Sequence, residues 1–261
     1  MIRRRETNNN EQRTTNNEPA PKARTTMTAK SIIKELKALG SEGTAKTLKR
    51  HGAQDPCYGV KVADLQKIRK RIKTDYQLAL DLYDSGVYDA MYLAGLIADD
   101  AKMTKADLRK WAKQAYGASL AGFTVPWVAT GSPHGPALAQ EWIGSKEERI
   151  VALGWCTLTS IMSVVPDDDL DIAMLKKQLR HVAKVIHKSP NYVREAMNGF
   201  VIGAGCCVVP LHDLAVELAE KIGAVTVDHG DTACKTPFAP DYIGKVVKMG
   251  RVGKKRKTAK C

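Results

Sequence analysis

The chain has 261 residues, 41 Lys and Arg against 28 Asp and Glu, a formal charge of +13 and only 6% aromatic residues. No run reaches the roughly 18 apolar residues of a membrane span, and the arginines at the N-terminus have no apolar stretch behind them, so neither a membrane helix nor a secretory signal is expected. The charge is concentrated at the ends: residues 1–30 carry +4 and residues 244–261 carry +8, which leaves +1 for 31–243.

Residues 1–30 are rich in Asn, Thr and Arg without an apolar period, so a disordered basic extension is expected. Within it, Met27 opens Met-Thr-Ala-Lys-Ser, which reads as a natural start. Ile32, Ile33, Leu36 and Leu39 give a first helical stripe closed by Gly40. After the Tyr58-Gly59 turn, Val62, Leu65, Ile68 and Ile72 give a second. Leu78, Leu80 and Leu82 precede a break at Asp84-Ser-Gly. The segment from Tyr88 to Ala98 is apolar on several faces and is expected to be buried. Thr104-x-x-Asp107 and Ser145-x-x-Glu148 have the form of capping boxes, opening helices at Leu108 and Ile150. A long helix is expected over 167–187, ended by Ser189-Pro190, with another from Asn191. Leu211 to Ile222 is closed by Gly223, and Pro240 fits the first turn of a last helix ending near Gly250. Val225-Thr-Val is the one β-prone run and is too isolated for a sheet. Six cysteines show no C-x-x-C spacing, which points to buried reduced thiols and a cytoplasmic location. Residues 31–249 are thus an all-α domain, and 250–261 are expected as a basic disordered tail.

Four stretches carry a resemblance: Tyr58-Gly-Val-Lys-Val-Ala-Asp-Leu-Gln-Lys-Ile, Glu148-Arg-Ile-Val-Ala-Leu-Gly-Trp, Asn191-Tyr-Val-Arg-Glu-Ala-Met-Asn-Gly-Phe-Val-Ile-Gly and Val225-Thr-Val-Asp-His-Gly-Asp-Thr-Ala-Cys-Lys-Thr-Pro. Over about residues 27–248 the chain resembles the DNA alkylation repair family, the AlkD-like HEAT-like repeat DNA glycosylases. The resemblance implies a HEAT-like (armadillo-like) solenoid with a concave groove sized for duplex DNA. It implies a monomer with double-stranded DNA as partner, without membrane, metal or cofactor. In active members a tryptophan-bearing helix carries an acidic residue that stabilises the cationic sugar formed as an alkylated base leaves. The matching stretch here is Gly122-Phe-Thr-Val-Pro-Trp-Val-Ala-Thr, with no Asp or Glu between Asp107 and Glu141. The expected catalytic acid is therefore absent, and no catalytic residue is assigned. The leading expectation is a DNA-binding protein that recognises damaged or distorted sites. One alternative is an active glycosylase excising N-alkylated purines with Glu195 or Asp228 as the acid. Another is a helical-repeat scaffold for a protein.

Candidate contacts follow from the same reading. Trp127 is placed to stack on a sugar or base, against the alternative of a packing aromatic. Trp111, Trp142 and Trp155 sit in apolar helical contexts and are assigned to the core. Arg149 and Arg194 lie in the stretches matching the family's groove helices, where a guanidinium grips phosphate; a surface ion pair with Glu147 or Glu195 is the alternative. Lys235 is expected to be docked toward the groove by a glycine-centred turn. Asp228, His229, Asp231 and Cys234 cluster in sequence, but their spacing does not suit zinc. No glycine-rich phosphate loop and no Ser-His-Asp or Cys-His nucleophile arrangement is present. Lys254, Lys255, Arg256 and Lys257 form a basic run able to bind phosphates without reading sequence.

Overall fold

The computed structural model describes residues 27–260; the N-terminal extension as far as residue 26, and Cys261, lie outside the described residues. The described chain is helical, and it contains no strand. The helices are α1 (Ala29–Leu39), α2 (Glu42–Arg50), α3 (Val62–Ile72), α4 (Tyr76–Asp84), α5 (Tyr88–Ile97), α6 (Lys105–Gln114), α7 (Gly117–Ser119), α8 (Val125–Gly131), α9 (Gly135–Ile143), α10 (Glu148–Val164), α11 (Ile172–Val185), α12 (Asn191–Cys207), α13 (His212–Ile222) and α14 (Ala239–Lys248).

Local chemistry explains most of these boundaries. Thr104 and Asp107 exchange side-chain and backbone hydrogen bonds at the start of α6, so the capping box read from the sequence is formed. The second expected box is not. Ser145 Oγ accepts from Glu147 N instead, and α10 starts at Glu148 without a side-chain cap. The long helix expected over 167–187 is split. Asp167–Asp169 forms a 3-10 turn, and Asp171 caps the start of α11 by accepting from Met174 N. The sequence stripes did not reveal α2, which buries no residue of its own. Gly59 turns the chain between α2 and α3 at φ +74°, and a Cβ there would run into the backbone of Ser41 and Ala45. The carboxylate of Asp89, 2% exposed, holds that turn by accepting from Tyr58 N and Val60 N, both at 2.7 Å.

Two layers follow from the packing. Helices α5, α8, α10, α12 and α14 touch one another in a continuous row, and α4, α6 and α9 form a second layer on it, joined by Tyr83 stacked on Trp111 at 4.0 Å and by Arg109 paired with Glu141 at 2.6 Å. Stacked helix layers of this kind build a curved array. Two apolar clusters fill it. The first runs from Ile32 to Leu153 and includes Ala259; the second runs from Ala139 to Ile243. Trp111, Trp142 and Trp155 are buried, as expected. No disulfide links the described cysteines. No single described helix is long and apolar enough to cross a membrane.

The disordered C-terminal tail expected over 250–261 is corrected as far as residue 260. Gly253 N donates to Cys206 O, Arg256 N donates to Ser163 O, and Ala259 is 6% exposed within the first cluster. The physical reason is the charge pattern. Lys255 and Lys260 find the partly buried Asp167 and Asp100 and the helix-end carbonyls of Met162 and Ala98.

Candidate nucleic-acid interface

The stretch Gly122–Thr130 runs into α8, in the continuous row. It joins α7 to α8 through a π-helical turn, Leu120–Thr124, in which Val125 N–H reaches back to Leu120 O. Pro126 accounts for it: its ring crowds the carbonyl four residues earlier, and a widened turn relieves the clash. Within this stretch Trp127 is 4% exposed, packed edge-on against Tyr92 at 5.7 Å between ring centroids and tilted against Phe123 at 5.9 Å. Phe123 is 52% exposed. The aromatic surface offered here is therefore mainly that of Phe123, with Trp127 behind it. Sequence reasoning did not single out Phe123, because helical spacing does not reveal where a π turn rotates the face.

One carboxylate does abut this helix. Asp100 follows α5 in a 3-10 turn and fills the space that a side chain at Gly131, one turn beyond Trp127, would occupy. Burial pushes its carboxyl up to about 6, against the pull of Lys260. Lys260 Nζ lies 2.7 Å from Asp100 Oδ1 and also donates to Ala98 O at 2.9 Å. Burial lowers the Lys260 pKa from its ordinary value. Asp100 is thus a carboxylate held by an ammonium rather than one facing a groove.

The other expected residues separate. Arg149 Nη2 donates to Lys113 O at 3.1 Å, which ties it to the end of α6. Arg194 has no carboxylate within ion-pair distance among the described residues, and its Nε is buried without a partner. Neighbouring Glu195 turns away, 3.9 Å from His229 Nδ1. Glu148 Oε1 accepts from Tyr192 N, so a carboxylate of α10 sits at the start of α12. The segment 224–238 is latched along α12. Asn191 exchanges hydrogen bonds with Asp228, and buried Asn198 donates to Pro237 O. Asp228 also accepts from Gly230 N, and His229 Nε2 pairs with Thr236 Oγ1. No group of three His, Cys, Asp or Glu able to hold a metal occurs among the described residues. Lys235 is exposed on this latched segment.

The basic run divides by facing. Lys255 turns inward, with Nζ 2.7 Å from Asp167 Oδ1 and 2.8 Å from Met162 O. Arg256 Nη2 donates to Ala259 O. Lys254 and Lys257 are exposed, as is Arg251.

A model of the family described as DNA alkylation repair enzyme matches residues 32–207. The chain belongs to that family. Among similar proteins, an uncharacterized protein of Listeria innocua is 31% identical over 217 residues, covering 81% of this chain and 93% of its own length. A second, from Listeria monocytogenes, is 32% identical over the same coverage. A solved structure is 34% identical with a TM-score of 0.84, covering 90% of this chain and 100% of its own. It belongs to a new family of proteins related to the HEAT-like repeat DNA glycosylases, with affinity for branched DNA structures. The match confirms the all-helical, HEAT-like repeat fold.

Proposed function

We propose that this protein binds DNA through the face of its continuous helix row, as the inner face of the array, recognises branched or distorted duplexes, and does not excise alkylated bases. The observation that carries the reading is the state of the Trp127 helix. It has no acid of its own, and the carboxylate that abuts it is neutralised by Lys260. A cationic transition state needs an ionised carboxylate facing it, and its loss slows such chemistry by orders of magnitude. The solved relative with affinity for branched DNA supports the binding half of the reading. Arg194, with its unpartnered Nε, and the exposed Lys235 and Phe123 are the proposed inner-face contacts. A cation binds phosphate, and an exposed ring can stack on an unpaired base.

The test combines binding and base release on the full chain. A four-way junction should bind more tightly than linear duplex, and alkylated duplex should release 7-methylguanine no faster than background. Arg194→Ala should weaken binding by about 1–3 kcal/mol, the range for a charge-assisted contact, with little change in melting temperature. Early melting with normal binding by the folded variant would make Arg194 a structural residue. The second reading, base excision, would require Asp100, the carboxylate nearest the Trp127 helix, to part from Lys260. Base release well above background that is abolished by Asp100→Asn would establish it.

A further inference from the structure

We infer that the C-terminal segment 251–260 is a fixed basic rim that reverses the charge of one edge of the solenoid and grips DNA phosphates through Arg251, Lys254 and Lys257. The inference rests on the DNA-binding reading above and adds a site to it. Helices α5, α10 and α12 of the continuous row end on a common edge, since one segment of chain reaches all three ends. A helix end exposes carbonyls without partners and carries partial negative charge. This edge also bears Asp99 and Asp100 after α5, and Asp167, Asp168 and Asp169 after α10. Left bare, it would repel a phosphate backbone.

The segment covers that edge with donors. Gly253 N donates to Cys206 O of α12, Arg256 N to Ser163 O and Lys255 Nζ to Met162 O of α10, and Lys260 Nζ to Ala98 O behind α5. Lys255 and Lys260 also pair with Asp167 and Asp100, both at 2.7 Å, with side chains only 19% and 9% exposed. These two cations are consumed by the fold. Arg251, Lys254 and Lys257 are exposed and have no carboxylate within ion-pair distance among the described residues. They recur every three residues along a backbone pinned at both ends. A row of cations held in place loses less freedom on binding than a free tail does. Each phosphate it neutralises contributes about 0.9 to the salt dependence of affinity.

Truncation would remove the caps and the cations together, so point variants are needed to separate them. The full chain carrying Arg251→Ala, Lys254→Ala and Lys257→Ala is titrated with labelled duplex and four-way junction between about 50 and 200 mM salt. Its slope should flatten by about two to three units, with wild-type melting temperature. Lys255→Met should do the reverse, melting earlier while keeping the slope. Amide exchange at Gly253 and Arg256 should stay protected with DNA bound. An unchanged slope in the triple variant, where the wild type binds, overturns the rim while leaving DNA binding in place. Early melting of the triple variant overturns the division of roles. Loss of protection on adding DNA overturns the fixed rim, because the segment would then be releasing from its aspartates. Absence of binding by the wild type to either DNA fails the functional reading, and the rim with it.

Discussion

Asp100 and Lys260 form a largely enclosed pair against a helix to which neither belongs. Asp100 stands against Gly131, and Lys260 arrives from the far end of the chain. Because burial raises the folded pKa of Asp100 from 3.8 to about 6, the folded state holds its proton more tightly than the unfolded one. The stabilising contribution of this group is therefore full below pH 3.8 and is lost as pH rises through about 6. Melting followed from pH 4 to pH 7, on wild type and Asp100→Asn, should show that loss only in the wild type. In Lys260→Met, carboxyl resonances should place the Asp100 midpoint above the wild-type value, since the counter-charge is gone. A midpoint near 3.8 in the wild type would mean that the pair is wetter than its packing implies. Asp167 is held differently: it accepts from Val209 N at 2.9 Å as well as from Lys255.

Between elements, carboxylates and hydroxyls do the joining. Asp89 in the first turn of α5 fixes the α2–α3 connection through two backbone donors. Asp89→Asn replaces one accepting oxygen by a donor facing an N–H, so it should destabilise by about 2–4 kcal/mol, the cost of a lost charged hydrogen bond plus an unsatisfied group. Chemical denaturation measures this; a change below about 0.5 kcal/mol would show that the turn holds by packing alone. Thr104→Ala removes a reciprocal cap from α6 and should cost about 1 kcal/mol in the same assay. The π turn at Leu120–Thr124 has the opposite logic. It relieves Pro126 and leaves Phe123 outward. Pro126→Ala removes the ring that crowds the turn, and a shift of Phe123 toward burial, read by quenching of Trp127 fluorescence, is expected.

At the scale of the molecule, segment 251–260 links the two apolar clusters. It leaves the second at Cys206 and ends in the first at Ala259. A chain ending at residue 249 would lose donors at three helix ends and expose the aspartates there. Each kcal/mol is worth about 2–4 °C for a domain of this size, so melting should fall by at least several degrees. An unchanged melting temperature would make the segment an appendage rather than part of the fold.

The sequence alone determined the helical class and most helix positions, because apolar spacing, Thr104, Pro190, Gly223 and Pro240 act within a few residues of where they stand, and the family was legible through the resemblance of whole stretches such as 148–155 and 191–203. It also showed that the Trp127 helix has no acid, since an absence over 33 consecutive positions (108–140) needs no fold to be seen. Only the tertiary structure brought Asp100 to Gly131, turned Lys255 inward and Lys254 outward, and buried Trp127 behind Phe123. Lys260 meets Ala98 across 162 residues of chain. Electrostatics across such a separation depends on which helix ends share an edge, and that is fixed by packing rather than by local pattern.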